Sequence, residues 1–310
     1  MDRNRGHRYA SRAPASAAGN SLLDFLAATY RHSSREVWAQ RIDEGLVQLN
    51  GETAKADQRL NAGDEIVWNR PPWKEETVPS GFTILYEDDA LICVDKPSGL
   101  PTLPGGGFLH NTLLDQLRQV RPEAAPLHRL GRTTSGIIVC ALTAEARSRI
   151  SEAWARGEVE KSYRALASGQ PTKSKWSIDT PIGPVPYPPL GTLHAATKDG
   201  KSSLSHVHVI ERRESSFLCD VVIPTGRPHQ IRIHLAAAGH PLVGDPLYLL
   251  GGRPDPAGRA LPGDGGYLLH AHTVRFAHPT TGASLEIQCA PPPPLRRGNA
   301  AAPNDGRARR

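Results

Sequence analysis

The apolar residues of this 310-residue chain come in short runs, each closed by glycine, proline or a polar turn, and that spacing limits what it can fold into. The runs at 84–86, 91–94, 136–142, 161–168 and 217–223, and two more between 267 and 286, have the length and composition of single strands. Beyond residue 80, helical spacing is confined to 112–120, 144–157 and 231–238. Many short strands with few helices predict an α+β fold, not a doubly wound parallel sheet. With 29 glycines and 28 prolines, turns are plentiful. No window approaches the ~18 uninterrupted apolar residues of a membrane span. The first twenty residues lack the apolar core of a signal peptide. Cys93, Cys140, Cys219 and Cys289 sit in apolar stretches and form no C-x-x-C pair, as expected of reduced, buried thiols in a cytoplasmic protein. No Cys/His cluster has metal-ligand spacing, so no metal is expected.

The chain divides by composition. Residues 1–20 and 296–310 are polar, arginine-bearing and aperiodic, and are expected to be disordered tails. Residues 21–68 make a small unit. Leu22, Leu23, Phe25 and Leu26 form the apolar face of one helix. Ser33 and Ser34 cap a second, with Val37 and Ile42 on its inner side. After Gly45 comes a hairpin around Asn50–Gly51. Arg35, Arg41 and Lys55 can share one face. This pattern resembles the small RNA-binding domain first known from a ribosomal protein. Residues 69–80, with Pro71, Pro72 and Pro79, read as a linker, and 81–295 as the main domain.

Four segments of the main domain carry polar groups where strands should be apolar. They are Asp95–Pro101 (DKPSGLP), His128–Gly136 (HRLGRTTSG), Lys161–Ala165 (KSYRA) and Thr225–His234 (TGRPHQIRIH), the last followed by Gly239-His240-Pro241 and Gly244–Tyr248 (GDPLY). Polar groups in such places serve a function or have buried partners. Arg129, Arg132, Arg227 and Arg232 can converge with Lys96 and Lys161 on a phosphate-bearing ligand, beside the lone Tyr163. Arginine with an aromatic ring is the equipment for stacking and flipping a base. Taken singly, each has a structural reading: a buried arginine pairs with a carboxylate such as Asp245, and His128 or His229 bonds backbone. The net charge of +6 and pI of about 9.3 agree with a polyanionic partner, and 29 of the 37 basic residues are arginine. A coding preference for arginine would give the same count, so charge alone names no partner. Gly105–Gly107 is no phosphate loop, because no G-K-[ST] follows.

In this order the four segments resemble the RluA/RluD-type pseudouridine synthases, from about Phe82 to Pro291. The resemblance implies isomerisation of uridine to pseudouridine in ribosomal or transfer RNA. The bond from the base to ribose C1′ breaks, the base turns, and it rejoins through C5, with no cofactor. It also implies a mixed, largely antiparallel central sheet of two half-domains with a cleft. A monomer is expected. Arg129 matches the arginine that wedges into the RNA where the uridine flips out. Tyr163 matches the tyrosine that stacks on the flipped base. Arg232 matches the basic residue that pairs with the catalytic carboxylate. Thr225, His229 and Gln230 brace the loop before it. Lys96, Arg132, Arg227, His229, Arg35 and Arg41 are expected to be further RNA contacts.

One position departs from the pattern. Where the family motif reads H-R-L-D, this chain has Gly131. A carboxylate there attacks C1′ or removes the C2′ proton, and glycine does neither. Asp95, Asp115 and Asp245 are the conceivable replacements. The alternative from another class is an RNA-binding protein that keeps the uridine pocket without the isomerase step.

RNA affinity should fall steeply with salt, log K dropping by about 0.7–0.9 per phosphate neutralised for each unit of log salt. Removing residues 1–68 should weaken it further. Filter binding to structured RNA checks both, and equal affinity of full-length and truncated protein would deny the first unit its role.

Overall fold

A computed structural model describes residues 3–298 of the chain, in two units divided between Glu75 and Glu76. Of the two expected tails, residues 1–2 and 299–310 lie outside the described residues. None of the described helices is long and apolar enough to cross a membrane.

The first unit runs β1 (His7–Arg12), α1 (Leu22–Thr29), α2 (Arg35–Asp43), β2 (Val47–Leu49), β3 (Glu52–Thr53) and β4 (Glu65–Arg70), with sheet order β1-β4-β2-β3. Ser21 and Ser34 cap the helices by accepting from Asp24 N and Val37 N. Leu22, Leu26, Trp38, Ile42, Val47 and Ile66 form the core. Trp38, not Val37, faces inward: Trp38 and Ile42 share the i, i+4 stripe, and Val37 is 38% exposed. Asn50 and Gly51 both have positive φ, as a two-residue hairpin turn requires. The tail expected over 1–20 is contradicted at His7–Arg12, which pairs with β4 and sets Tyr9 against Trp68. This strand is polar and largely exposed, so periodicity does not reveal it. The expected linker also shortens. The strand continues to Arg70, and Asn4 and Trp73 exchange hydrogen bonds, so residues 69–75 belong to this unit.

The second unit contains β5 (Thr83–Glu87), β6 (Leu91–Lys96), α3 (Leu113–Val120), β7 (Ala125–Pro126), β8 (Ser135–Ala141), α4 (Ala144–Ala155) and β9 (Glu160–Ser168). Then follow β10 (Lys175–Ile178), β11 (Ile182–Tyr187), β12 (Gly191–Ala196), β13 (Ser205–Arg212), β14 (Ser216–Val222), α5 (Gln230–Ala237), β15 (Tyr248–Leu249), β16 (Arg253–Pro254), β17 (Leu269–Ala277) and β18 (Ser284–Gln288). A ten-stranded mixed sheet has the order β10-β13-β14-β9-β17-β8-β6-β5, with β18 on β17 and β7 on β8. Only the β8–β17 pairing in it is parallel; it joins two antiparallel halves. At that seam Gly136 lies opposite Ala271 with φ +106, and any Cβ would collide with the Ala271 carbonyl.

Each half has its own apolar cluster, one around β6, β8, α3 and α4, the other around β9, β14 and α5. Helix α5 is buried on every side. Ile231 and Leu235 pack on the sheet, and Ile233 and Ala236 pack on the cluster of the β11–β12 hairpin. Any charge on this helix must therefore carry its own counter-charge.

Lys96 was expected to meet RNA, but its side chain is fully buried. Its Nζ donates to the carbonyls of Pro97, Leu100 and Arg132 at 2.9, 2.7 and 3.1 Å. It thereby ties the 95–101 turn to the loop that holds Gly131. Burial pushes its pKa down to about 7, against the opposing effect of Asp95.

Lys96→Met should destabilise by about 2–4 kcal/mol, because buried carbonyls lose their donor. With a folded pKa near 7 and an unfolded one near 10.5, the unfolded chain binds more protons between them, so this group's contribution improves as pH rises through that window. Urea unfolding from pH 7 to 10 should show the wild-type advantage over the variant widening; a constant gap would count against the buried cage.

Candidate active site

The 129–135 loop is held from below. Gly99 N donates to Arg132 O at 2.8 Å, Ser98 Oγ to Thr133 O at 2.7 Å, and Thr102 Oγ1 to Leu130 O at 3.0 Å. Thr134 N returns to Gly131 O at 3.1 Å, closing a turn. The first motif is thus a scaffold for the second.

Gly131 is exposed, and its φ lies outside the left-handed region. A side chain there would begin 3.2 Å from Tyr267 Oη and 3.6 Å from Thr134 Oγ1, with no other atom outside the neighbouring residues within 4 Å. The Tyr267 ring lies against the Arg232 guanidinium, 4.1 Å from carbon to centroid, and Tyr248 adds a second ring at 5.0 Å. Arg232 is held by Asp245 in a bidentate pair, both contacts 2.7 Å, with the two side chains 2% and 1% exposed. Asp245 also accepts from Leu247 N and Tyr248 N. The third nitrogen of Arg232 donates to Pro262 O. The guanidinium stays charged because Asp245 and the rings outweigh its burial.

Why Asp245 and Tyr267 meet on one arginine is a backbone matter. Gly244 and Gly266 both have positive φ, and each carbonyl sits where a Cβ of the other would be. That contact sets the next residues, Asp245 and Tyr267, side by side. None of the four sequence motifs contains Tyr267. Its only linear signal is the aromatic residue after Gly265–Gly266, which means nothing until Gly244 is seen against it.

Other expected site residues are placed as follows. Arg129 is exposed and has no ion pair or hydrogen bond among the described residues. It lies near enough to His229 to help lower its pKa. His229 sits at φ +55 as the N-cap of α5, with Nδ1 2.7 Å from Tyr248 Oη. Tyr248 Oη must donate to His194 O, also at 2.7 Å, so His229 supplies Nδ1–H and keeps a lone pair on Nε2. Burial, then Arg232, pushes its pKa down to about 4. Tyr163, on β9, is partly buried between the two apolar clusters. Its hydroxyl has no hydrogen-bond partner among the described residues. Burial raises its pKa to about 12. Tyr163, Ala271 and Gly136 lie opposite one another on three adjacent strands, which puts Tyr163 about 10 Å from the end of the Gly131 loop. Thr225 and Gln230 brace the loop before α5 through a 2.9 Å bond, and Gln230 also reaches Leu204 O and Ser205 Oγ.

Most of the cations expected to converge have partners within the fold. Arg132 pairs with Glu76 at 2.7 Å, Arg227 donates to Ser202 O, and Lys161 is buried over the Trp154 ring. Arg232 pairs with Asp245, not with an acid from the 128–136 loop. A shielded cation needs a partner in the fold, which leaves Arg129 as the free one of the set. In the first unit, Arg35 pairs with Asp24, while Arg41 lies against the rings of Trp38 and Trp68 at 4.6 and 4.3 Å.

Of the conceivable replacement acids, Asp245 is fully occupied, and Asp115 sits at the start of α3 against His110. Asp95 lies with His270 and Cys289, whose ligand-type atoms are within 4.8 Å of one another. His270 is engaged at both nitrogens, by Ser135 Oγ and Cys289 O, and burial and Asp95 raise the Cys289 thiol to about 12. This trio has the chemistry of a hydrogen-bonded cluster rather than of metal ligands.

Asp245→Asn should destabilise by about 3–5 kcal/mol by leaving a buried cation unpaired, whereas Arg232→Met with Asp245→Leu should cost less than the single change. Thermal unfolding of both variants tests this; equal losses would place the pair's value elsewhere.

Both units are similar to known proteins. Residues 90–237 match the family described as RNA pseudouridylate synthase, and residues 22–66 match the S4 domain. A Synechocystis sp. protein named as an uncharacterized RNA pseudouridine synthase is 39% identical over 88% of this chain and 95% of its own length. Ribosomal large subunit pseudouridine synthase D of Nitrosomonas europaea is 35% identical over 88% of this chain and 81% of its own. The solved structure of human RNA pseudouridylate synthase domain containing 1 covers 70% of this chain and 86% of its own, at 26% identity and TM-score 0.56.

Proposed function

This chain belongs to the RluA/RluD-type RNA pseudouridine synthase family, with an S4 domain at its N-terminus, and we propose that it is a working isomerase whose substrate is ribosomal RNA. The ribosomal assignment rests on the name of the Nitrosomonas relative. The observation that carries the catalytic reading is the loop 129–135, pinned at both backbone and side chain, with its open Gly131 above a buried, permanently charged arginine. A fold that had lost its chemistry would have no reason to keep an unpaired cation and an unpartnered tyrosine hydroxyl around that loop. Arg129 then enters the RNA and takes the place of the departing uridine, paying part of the unstacking cost. Tyr163 stacks on the flipped base. His229, neutral and carrying a free lone pair on Nε2, accepts a hydrogen bond from the substrate strand. No step calls for a cofactor.

The assay is release of tritium from C5 of uridine in unmodified large-subunit ribosomal RNA. Wild type should release label. Tyr163→Ala should weaken binding of the flipped nucleotide by about 1–3 kcal/mol and, because the ring packs on both apolar clusters, should lower the melting temperature as well. A fall in melting temperature with unchanged turnover would make Tyr163 a core residue. No label release from ribosomal RNA, with release from a transfer RNA pool, would move the substrate to the other class.

A further inference from the structure

We propose that Tyr267 is the catalytic nucleophile of this chain, its phenolic oxygen attacking ribose C1′ of the flipped uridine across the exposed Gly131. The assignment rests on the reading that the chain is an active synthase. Three observations carry it. Tyr267 Oη is the nearest atom beyond the adjoining residues to the place where a side chain at 131 would start, at 3.2 Å. Tyr267 is 4% exposed with its hydroxyl 3.4 Å from Thr134 Oγ1, and Gly131, which is exposed, adds no side chain over it. The ring is fixed from two sides, by the Arg232 guanidinium at 4.1 Å and by the Gly244–Gly266 backbone contact. Of the three candidate acids, Asp245 is held by Arg232 and Asp115 by His110, while Asp95 is turned into the buried cluster with His270 and Cys289, where its Oδ1 has no hydrogen-bond partner among the described residues. Phenolic oxygen is a proven nucleophile at sugar carbons.

The step balances without a further reactant. The Oη–C1′ bond forms as the C1′–N1 bond breaks, its electron pair leaving with N1, which takes the phenolic proton. The base then turns. C5 attacks C1′ with a π pair, the C1′–Oη bond breaks with its pair returning to oxygen, and the C5 proton neutralises the phenolate. Uridine and pseudouridine have one composition, so nothing is consumed. The cation against the ring stabilises the phenolate as it leaves.

The geometry also makes Gly131 part of the device. A Cβ at 131 must displace Tyr267 Oη by a few tenths of an ångström, so the glycine and the tyrosine are one choice rather than two.

The test uses the full chain and the tritium-release assay. Tyr267→Phe keeps the ring on Arg232 and should lose at least about 100-fold in kcat, with melting temperature and RNA Kd unchanged. Gly131→Ala, which adds only the crowding carbon, should also lower kcat with Kd unchanged. Acid-quenched wild-type reactions should yield the Tyr267 peptide carrying ribonucleotide by mass spectrometry. Tyr267→Phe combined with Gly131→Asp should recover turnover, because the hydroxyl that crowds the new Cβ is gone and a carboxylate now faces C1′. Wild-type turnover by Tyr267→Phe would overturn the assignment and leave the function standing. No turnover by wild type, with turnover by the double variant, would overturn both and make the chain an RNA-binding protein.

Discussion

The site is organised by one buried pair, Arg232 with Asp245. Taking both charges out of water costs several kcal/mol per ion, and their mutual attraction repays that only with complete hydrogen bonding. Here the bonding is complete: three guanidinium nitrogens and both carboxylate oxygens have partners. Such a pair adds little net stability over an apolar one of the same shape. What it secures is place, a cation that cannot swing out to a phosphate or lose its proton. Helix α5, the Gly244–Tyr248 turn and the Tyr267 ring are each positioned by contact with it.

The second constraint is the parallel seam between β8 and β17. Strand β8 brings the Gly131 loop from one half of the sheet, and β17 brings Tyr267 from just before its own start in the other. Ser135 stands opposite His270, and Thr134, one residue before the first, and Tyr267, three before the second, bring their hydroxyls within 3.4 Å. Gly136 lets the strands close at that point. A parallel pair is what places two loop ends at the same edge of a sheet; an antiparallel pair would have sent them to opposite edges.

Much of this was legible in the sequence. Short apolar runs marked β6, β8, β9 and β14, the spacing of His234, Leu235 and Ala238 marked α5, and four motifs in order marked the family. What was hidden has physical reasons. Strands β10 to β13 interleave apolar residues with polar ones or, in β11, with prolines; β10 is at the sheet edge with β13 beside it, and β11 and β12 form a separate hairpin, so no apolar run announces them. Lys96 read as a phosphate ligand because a lone lysine in a polar turn has that look; its three carbonyl partners exist only after the chain has folded. Arg232 was matched to an acid of the Gly131 loop because a family correspondence pairs positions, whereas burial on all sides of α5 demands a partner at once, and Asp245 is the one within reach. Tyr267 was invisible because its meaning depends on two glycines more than twenty residues apart pressing their backbones together.

The pairing of Gly131 with Tyr267 bears on how a family can change its reactive group and keep its fold. The requirements on the oxygen that meets C1′ are geometric before they are chemical: it must stand at the mouth of the loop, beside a fixed cation, without blocking the base. An aspartate at 131 would meet them from the loop itself, on a short side chain held by the turn between Gly131 and Thr134. A tyrosine at 267 meets them from beneath, on a long rigid ring anchored by the same cation. The two solutions crowd each other, because the first carbon of the aspartate would stand 3.2 Å from the tyrosine hydroxyl and push it aside by a few tenths of an ångström. Losing the acid therefore relieves crowding as it removes a catalyst, and the site that remains is a different arrangement of the same cleft rather than a damaged copy.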